Sequence, residues 1–143
     1  MIYKTGNLLE STESYICHGV NCQGKMGSGV ALAIRQKWPK VFEDYTLWDK
    51  DIGLRPGDVI LTQLDDNKWV ASLATQEFYG YKGRFCDYDA IRECFRKLNT
   101  IAAGKSIAIP KIGAGLGGGD WSIIEKIIDE EISNVTCYTL YKE

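Results

Sequence analysis

Apolar positions follow two rhythms along this chain. Short runs rich in β-branched and aromatic residues read as strands. They are Ile2-Tyr3-Lys4, Ser14 to Val20, Asp58 to Leu64, Trp69 to Ala74, Ser106 to Pro110 and Val135 to Tyr141. The third and fourth flank Asp65-Asp66-Asn67, a cluster of turn formers, and this predicts a hairpin. Between the strands the spacing changes to that of helices. Val30 to Trp38 stops before Pro39, and Val41 to Lys50 carries Val41, Phe42, Tyr45 and Trp48 on one stripe. Asp87 to Ala103 places Ile91, Cys94, Phe95, Leu98, Ile101 and Ala102 on one face and ends at Gly104. Trp121 to Ile132 aligns Ile124, Ile127 and Ile128. Strands alternating with helices predict an α/β domain with a central, largely parallel sheet covered on both faces.

Length and composition narrow this further. The 143 residues are 45% hydrophobic and 25% charged, which suits one globular domain over residues 1–143. Such a chain buries about two-thirds of its unfolded surface and needs no disulfide or metal staple. The net charge of −2 argues against a dedicated nucleic-acid binder, so no stable nucleic-acid partner is expected. Cys17, Cys22, Cys86, Cys94 and Cys137 form no Cys-x-x-Cys pair, and neither a disulfide framework nor a metal site is expected. With no apolar run of membrane-spanning length, a reduced, cytoplasmic monomer is the expectation.

In doubly wound sheets, ligands sit beyond the carboxyl ends of strands. Two strand-to-helix segments stand out there. The first is Cys17-His18-Gly19-Val20-Asn21-Cys22-Gln23-Gly24-Lys25-Met26-Gly27-Ser28-Gly29-Val30. Its glycines let the main chain approach a ligand, and the N–H groups opening the next helix suit phosphate. It matches neither the P-loop nor the dinucleotide fingerprint. A tight packing turn is the plain alternative. The second is Ile107-Ala108-Ile109-Pro110-Lys111-Ile112-Gly113-Ala114-Gly115-Leu116-Gly117-Gly118-Gly119-Asp120-Trp121, with five glycines in seven residues. So many glycines are costly in chain entropy, which predicts a main-chain cradle. Asp120 stands where a helix N-cap belongs.

Taken together, the two segments resemble the two ADP-ribose-binding loops of macrodomains, and Gly6-Asn7-Leu8-Leu9 resembles an early element of that family. The order and spacing match along nearly the whole chain. The resemblance is nearest to the branch with ADP-ribose 1″-phosphate phosphatases and the terminal ADP-ribose protein glycohydrolase. It implies a three-layer α/β/α fold with a central mixed sheet, ADP-ribose or ADP-ribose 1″-phosphate as ligand, and no cofactor. It implies ligand contacts at Leu8, at Gln23, Gly24, Lys25, Met26, Gly27, Ser28, Gly29 and Val30, and at Ile112, Gly113, Ala114, Gly115, Leu116, Gly117 and Gly118. It implies a chemical role for His18, Asp120 and Asn21, with Asn21 on the distal ribose. Which of His18 and Asp120 serves as acid and which as base stays open. The lysine that the glycohydrolase carries after its middle strand is missing from Ala74-Thr75-Gln76-Glu77, and its aspartate after the second loop's Gly-x-Gly-Leu is Gly117 here. Lys82 lies a few residues later, and the early aspartate of the family is Asn7. The implied activity is removal of the terminal phosphate of ADP-ribose 1″-phosphate. The alternatives are release of ADP-ribose from modified protein or nucleic acid, and a non-catalytic reader.

Bland readings compete at several of these positions. A lone histidine on an apolar strand commonly serves as a hydrogen-bonded core residue, and His18 gains weight only from preceding the first loop. Cys17 and Cys22 lack a second histidine as base and read as structural. Lys25 is either a surface charge or a phosphate contact. Phe78-Tyr79-Gly80-Tyr81 either packs or stacks on adenine.

Overall fold

A computed structural model describes residues 1–78, 85–115 and 117–139. Its elements in chain order are β1 (Ile2–Lys4), a 3-10 turn (Leu8–Glu10), β2 (Tyr15–Val20), α1 (Gly29–Lys37), α2 (Pro39–Asp51), β3 (Val59–Asp65), β4 (Lys68–Ala74), α3 (Tyr88–Ala102), β5 (Ile107–Ile109), α4 (Trp121–Glu131) and β6 (Val135–Tyr138). One six-stranded sheet runs in the order β1-β6-β5-β2-β4-β3. All neighbours are parallel except β3 and β4. The sheet is therefore mixed, as the family resemblance implied, with a parallel centre.

Strand alternation sends side chains to two separate cores. Tyr15 and Cys17 of β2 join Ile91, Phe95 and Leu98 of α3 and Ile124 and Ile128 of α4. Ile16 and Val20 join Val30 and Ile34 of α1 and Val41 and Tyr45 of α2. Each large aliphatic or aromatic side chain buried this way contributes about 1.5–3 kcal/mol. These residues explain the helices: apolar side chains three and four apart need a partner surface, and the sheet supplies one on each side.

Local chemistry sets the element ends. The hairpin turn forms as expected, with the Asp65 carboxylate accepting from the main-chain N–H of Asn67. Helix α2 begins at Pro39, two residues earlier than the apolar stripe indicates, because proline fits the first helical position. Strand β3 begins after Asp58, whose carboxylate accepts from the Arg55 main chain and the Trp48 indole and so holds a turn. Strand β5 ends before Pro110, which has no N–H to give. Strand β6 ends at Tyr138, and Tyr141 lies outside the described residues. The 3-10 turn at Leu8 has no counterpart in the sequence reading. The Leu8 side chain is fully buried in the α1/α2 core, so the ligand contact expected there falls to its main chain.

Cys17, Cys86, Cys94 and Cys137 are buried, and Cys22 is partly so. No described helix is long and apolar enough to cross a membrane. No cluster of three metal-ligating side chains occurs among the described residues.

Candidate functional site

Strands β5, β2 and β4 are adjacent and parallel, so the segments following them leave from one edge of the sheet. The two glycine-rich loops therefore converge, and the β4 segment is tied to both. Cys22 N–H donates to Glu77 O at 2.9 Å. Phe85 N–H and Cys86 N–H donate to Gly117 O at 2.7 and 3.0 Å.

The first loop is organised by Asn21. This buried side chain turns back on its own loop rather than outward. Its oxygen accepts from Gln23 N–H at 2.9 Å and from the Tyr45 hydroxyl at 2.9 Å, while its amide donates to Lys25 O at 2.8 Å. The side-chain amide expected to hold the distal ribose is thus engaged inside the loop. Met26 and Val30 are also buried and anchor the loop through the α1/α2 core. Any ligand contact from these two passes through the main chain.

Gly24 and Gly29 take φ of 74° and 59°, which only glycine adopts freely. Gly27 has no such φ, and a Cβ placed there would meet nothing within 4 Å. The loop ends at Ser28, the N-cap of α1, which makes no side-chain capping bond, and no acidic residue stands in the first turn. Helices α3 and α4 are by contrast capped by Asp87 and Asp120. The positive end of α1 therefore carries no carboxylate of its own and suits an anion.

Much of the second loop's glycine content has a packing cause. A Cβ on Gly117 would lie 2.7 Å from Gly113 O, and one on Gly119 would lie 2.5 Å from the Cys86 sulfur. Gly113 combines φ of 78° with close contacts to Ile91 and Ile124. Ile112 is fully buried in the α3/α4 core. The outward-facing part is Ala114, Gly115 and Gly118. Leu116 lies outside the described residues, as do Tyr79, Gly80, Tyr81 and Lys82.

His18 sits on β2 in register with Ser72 of β4. Its Nε2 is 2.8 Å from the Ser72 hydroxyl, and its Nδ1 is a buried polar atom without a hydrogen-bond partner. Burial pushes its pKa down to about 3, so the ring is neutral at ordinary pH. By alternation with Ile16 and Val20, it faces the α1/α2 layer. Asp120 is exposed and caps α4, whose apolar side chains join the other core. The Ser122 hydroxyl and N–H both donate to its carboxylate and hold it below the usual carboxylate range. The hydrogen bonds of His18 and Asp120 thus run to different partners and do not join the two in a dyad.

Three contributors went unnoticed in the sequence. Tyr45 looked like one more apolar position of the α2 stripe, and nothing marked its hydroxyl. Gln76 donates its amide to Phe78 O, and its oxygen lies 3.2 Å from where a Gly117 Cβ would be. It thus stands between the β4 segment and the second loop. The Tyr88 hydroxyl accepts from Asp120 N–H at 3.0 Å. A cavity of about 370 Å³ between α2 and β3, lined by Leu47, Trp48, Ile52 and Leu61 with Asp44 and Asp51, draws no residue from either glycine loop.

The family model described as Macro domain matches residues 17–128. A Mycobacterium tuberculosis protein named DNA ADP-ribosyl glycohydrolase is 29% identical over 87% of the chain. The chain spans 36% of that relative's length. A Candida albicans protein named ADP-ribose 1″-phosphate phosphatase is 27% identical over 80% of each chain. Among solved structures, Thermosipho africanus DarTG in complex with ADP-ribose superposes with a TM-score of 0.79 at 25% identity, over 94% of this chain and 40% of that one.

Proposed function

The chain belongs to the Macro domain family, and from that premise we propose that it binds ADP-ribose between its glycine loops and removes the terminal phosphate of ADP-ribose 1″-phosphate. The observation that carries the reading is the convergence of both loops at one sheet edge, beside a helix N-terminus free of any side-chain cap. Main-chain N–H donors fixed in advance around an anion are the main catalytic resource for phosphoryl transfer to water. The reaction breaks the bond between phosphorus and the ribose oxygen. Water supplies the oxygen that leaves with phosphate, and the ribose oxygen gains a proton.

Asp120 is the exposed carboxylate at the second loop, ionised at neutral pH, and orients the attacking water. His18, being neutral, acts through a hydrogen bond from its ring rather than as a cation. Lys25, exposed on the first loop, offsets phosphate charge.

Gln76 favours phosphate release over a lysine-based mechanism. An uncharged amide stands near the second loop, and a carboxamide forms no covalent adduct with a sugar. The second reading is release of ADP-ribose from DNA or protein, favoured by the similarity to relatives named DNA ADP-ribosyl glycohydrolase.

Pure protein incubated with ADP-ribose 1″-phosphate should liberate inorganic phosphate. Free ADP-ribose from ADP-ribosylated DNA or protein, without phosphate from the first substrate, would replace the first reading by the second. Binding of ADP-ribose with neither product would make the domain a reader.

A further inference from the structure

We propose that Tyr45 is a positioning residue that sets the ligand-ready shape of the first loop from beneath, through its hydroxyl. The inference rests on the ADP-ribose reading above and adds a specific cause for the loop's affinity.

The loop from Asn21 to Ser28 contains Gly24 and Gly27 and would be costly to order on its own. It is held at one point from helix α2. Tyr45 is fully buried, and its hydroxyl lies 2.6 Å from Asn21 O and 2.9 Å from Asn21 Oδ1, sharing its proton between them. The Lys25 main-chain N–H donates to that same Asn21 Oδ1 at 3.4 Å. One hydroxyl thus fixes both oxygens of Asn21 at the start of the loop. Asn21 carries the constraint on to Gln23 N–H and Lys25 O. One helical turn further along α2, Asp49 lies 3.3 Å from where a Gly24 Cβ would be and closes the same side.

With those polar groups turned inward onto Tyr45 and Asn21, the stretch containing Gly27, Ser28 and Gly29 is presented outward beside the α1 N-terminus. A loop ordered before binding does not spend binding energy on ordering itself. Phenylalanine fills the same space but offers no hydroxyl, so its predicted effect falls on loop order and ligand affinity together.

The test compares Tyr45→Phe with Tyr138→Phe. The second variant removes another buried tyrosine hydroxyl, which donates to Glu13 away from the loop. ADP-ribose binding is measured by calorimetry, and main-chain hydrogen exchange is followed by NMR. Tyr45→Phe should weaken ADP-ribose binding about tenfold and speed exchange at Gln23 and Lys25, whose N–H groups Asn21 holds. Tyr138→Phe should lower the melting temperature and leave affinity unchanged. Wild-type affinity in Tyr45→Phe, or an equal loss in both variants, overturns the proposal. If Tyr45→Phe does not fold, exchange in the wild-type protein decides: unprotected Gln23 and Lys25 amides overturn the clamp, and protected ones uphold it. Wild-type protein that ignores ADP-ribose would refute the functional reading instead, and the exchange data would still judge the clamp.

Discussion

The imidazole of His18 is hydrogen-bonded to the hydroxyl of Ser72, its register partner on the neighbouring parallel strand, at 2.8 Å. That bond occupies Nε2 and leaves Nδ1 as an unsatisfied buried atom. Burial of an orphaned polar atom costs about 1–3 kcal/mol. The ring stays neutral there, which avoids the larger cost of a buried cation.

A pH dependence follows. The folded-state pKa of His18 is about 3, against an ordinary value of 6.5. In the unfolded chain the ring takes up a proton as pH falls below 6.5, while in the folded chain it does not. Stability from this group is fully present above 6.5 and is lost as pH falls towards 3. The loss is on the order of 5 kcal/mol over the whole window. Thermal melts of wild type and His18→Gln between about pH 4 and 7 should show a flatter profile for the variant. Parallel profiles would remove His18 as the cause.

The capping role of Asp120 and its proposed catalytic role can be separated by one substitution. Serine at an N-cap still accepts from the helix N–H groups, whereas alanine does not. Asp120→Ser should keep the melting temperature near wild type and lower phosphate release roughly a hundredfold. Asp120→Ala should lower both. Wild-type turnover in Asp120→Ser would confine Asp120 to capping α4.

The glycines of the two loops should respond in opposite ways. At Gly27 the space is open and φ lies outside the left-handed region, so Gly27→Ala should leave the melting temperature unchanged. It should weaken ADP-ribose binding, because the new methyl group projects into that space. Gly117→Ala drives a Cβ to within 2.7 Å of Gly113 O and should destabilise the fold. Calorimetric binding and melting curves on both variants check this. Equal melting temperatures with equal affinities would show that Gly27 lies outside the binding surface.

Much of the architecture could be read from periodicity. Ile91, Phe95 and Leu98 announced α3, and Asp65-Asp66-Asn67 announced the hairpin. The order of strands could not be read, because β6 enters between β5 and β1, and its pairing with β1 joins the two ends of the chain, Ile2 with Thr136. The loops were visible as glycine clusters, but their causes were mixed. Composition does not distinguish Gly117, where close packing forbids a side chain, from Gly27, where the space is empty. Asn21 was found, yet its partners were not: Tyr45 lies 24 residues away and looks like an ordinary helix core position. The proximity of Gln76 to the second loop likewise arises only once β4 and β5 are placed on either side of β2.

The distribution of sulfur has a practical consequence. Cys17, Cys86, Cys94 and Cys137 are sealed in the interior and none is oxidised to a bridge, while Cys22 is half-buried at the head of the first loop. A thiol-reactive dye would therefore clock breathing of the domain without any engineered label. Alkylation at the four interior sites waits on large openings. Cys22 keeps a separate, faster clock tied to movement of its own segment, slowed by the burial and neighbouring carboxylates that push its thiol up to about 11.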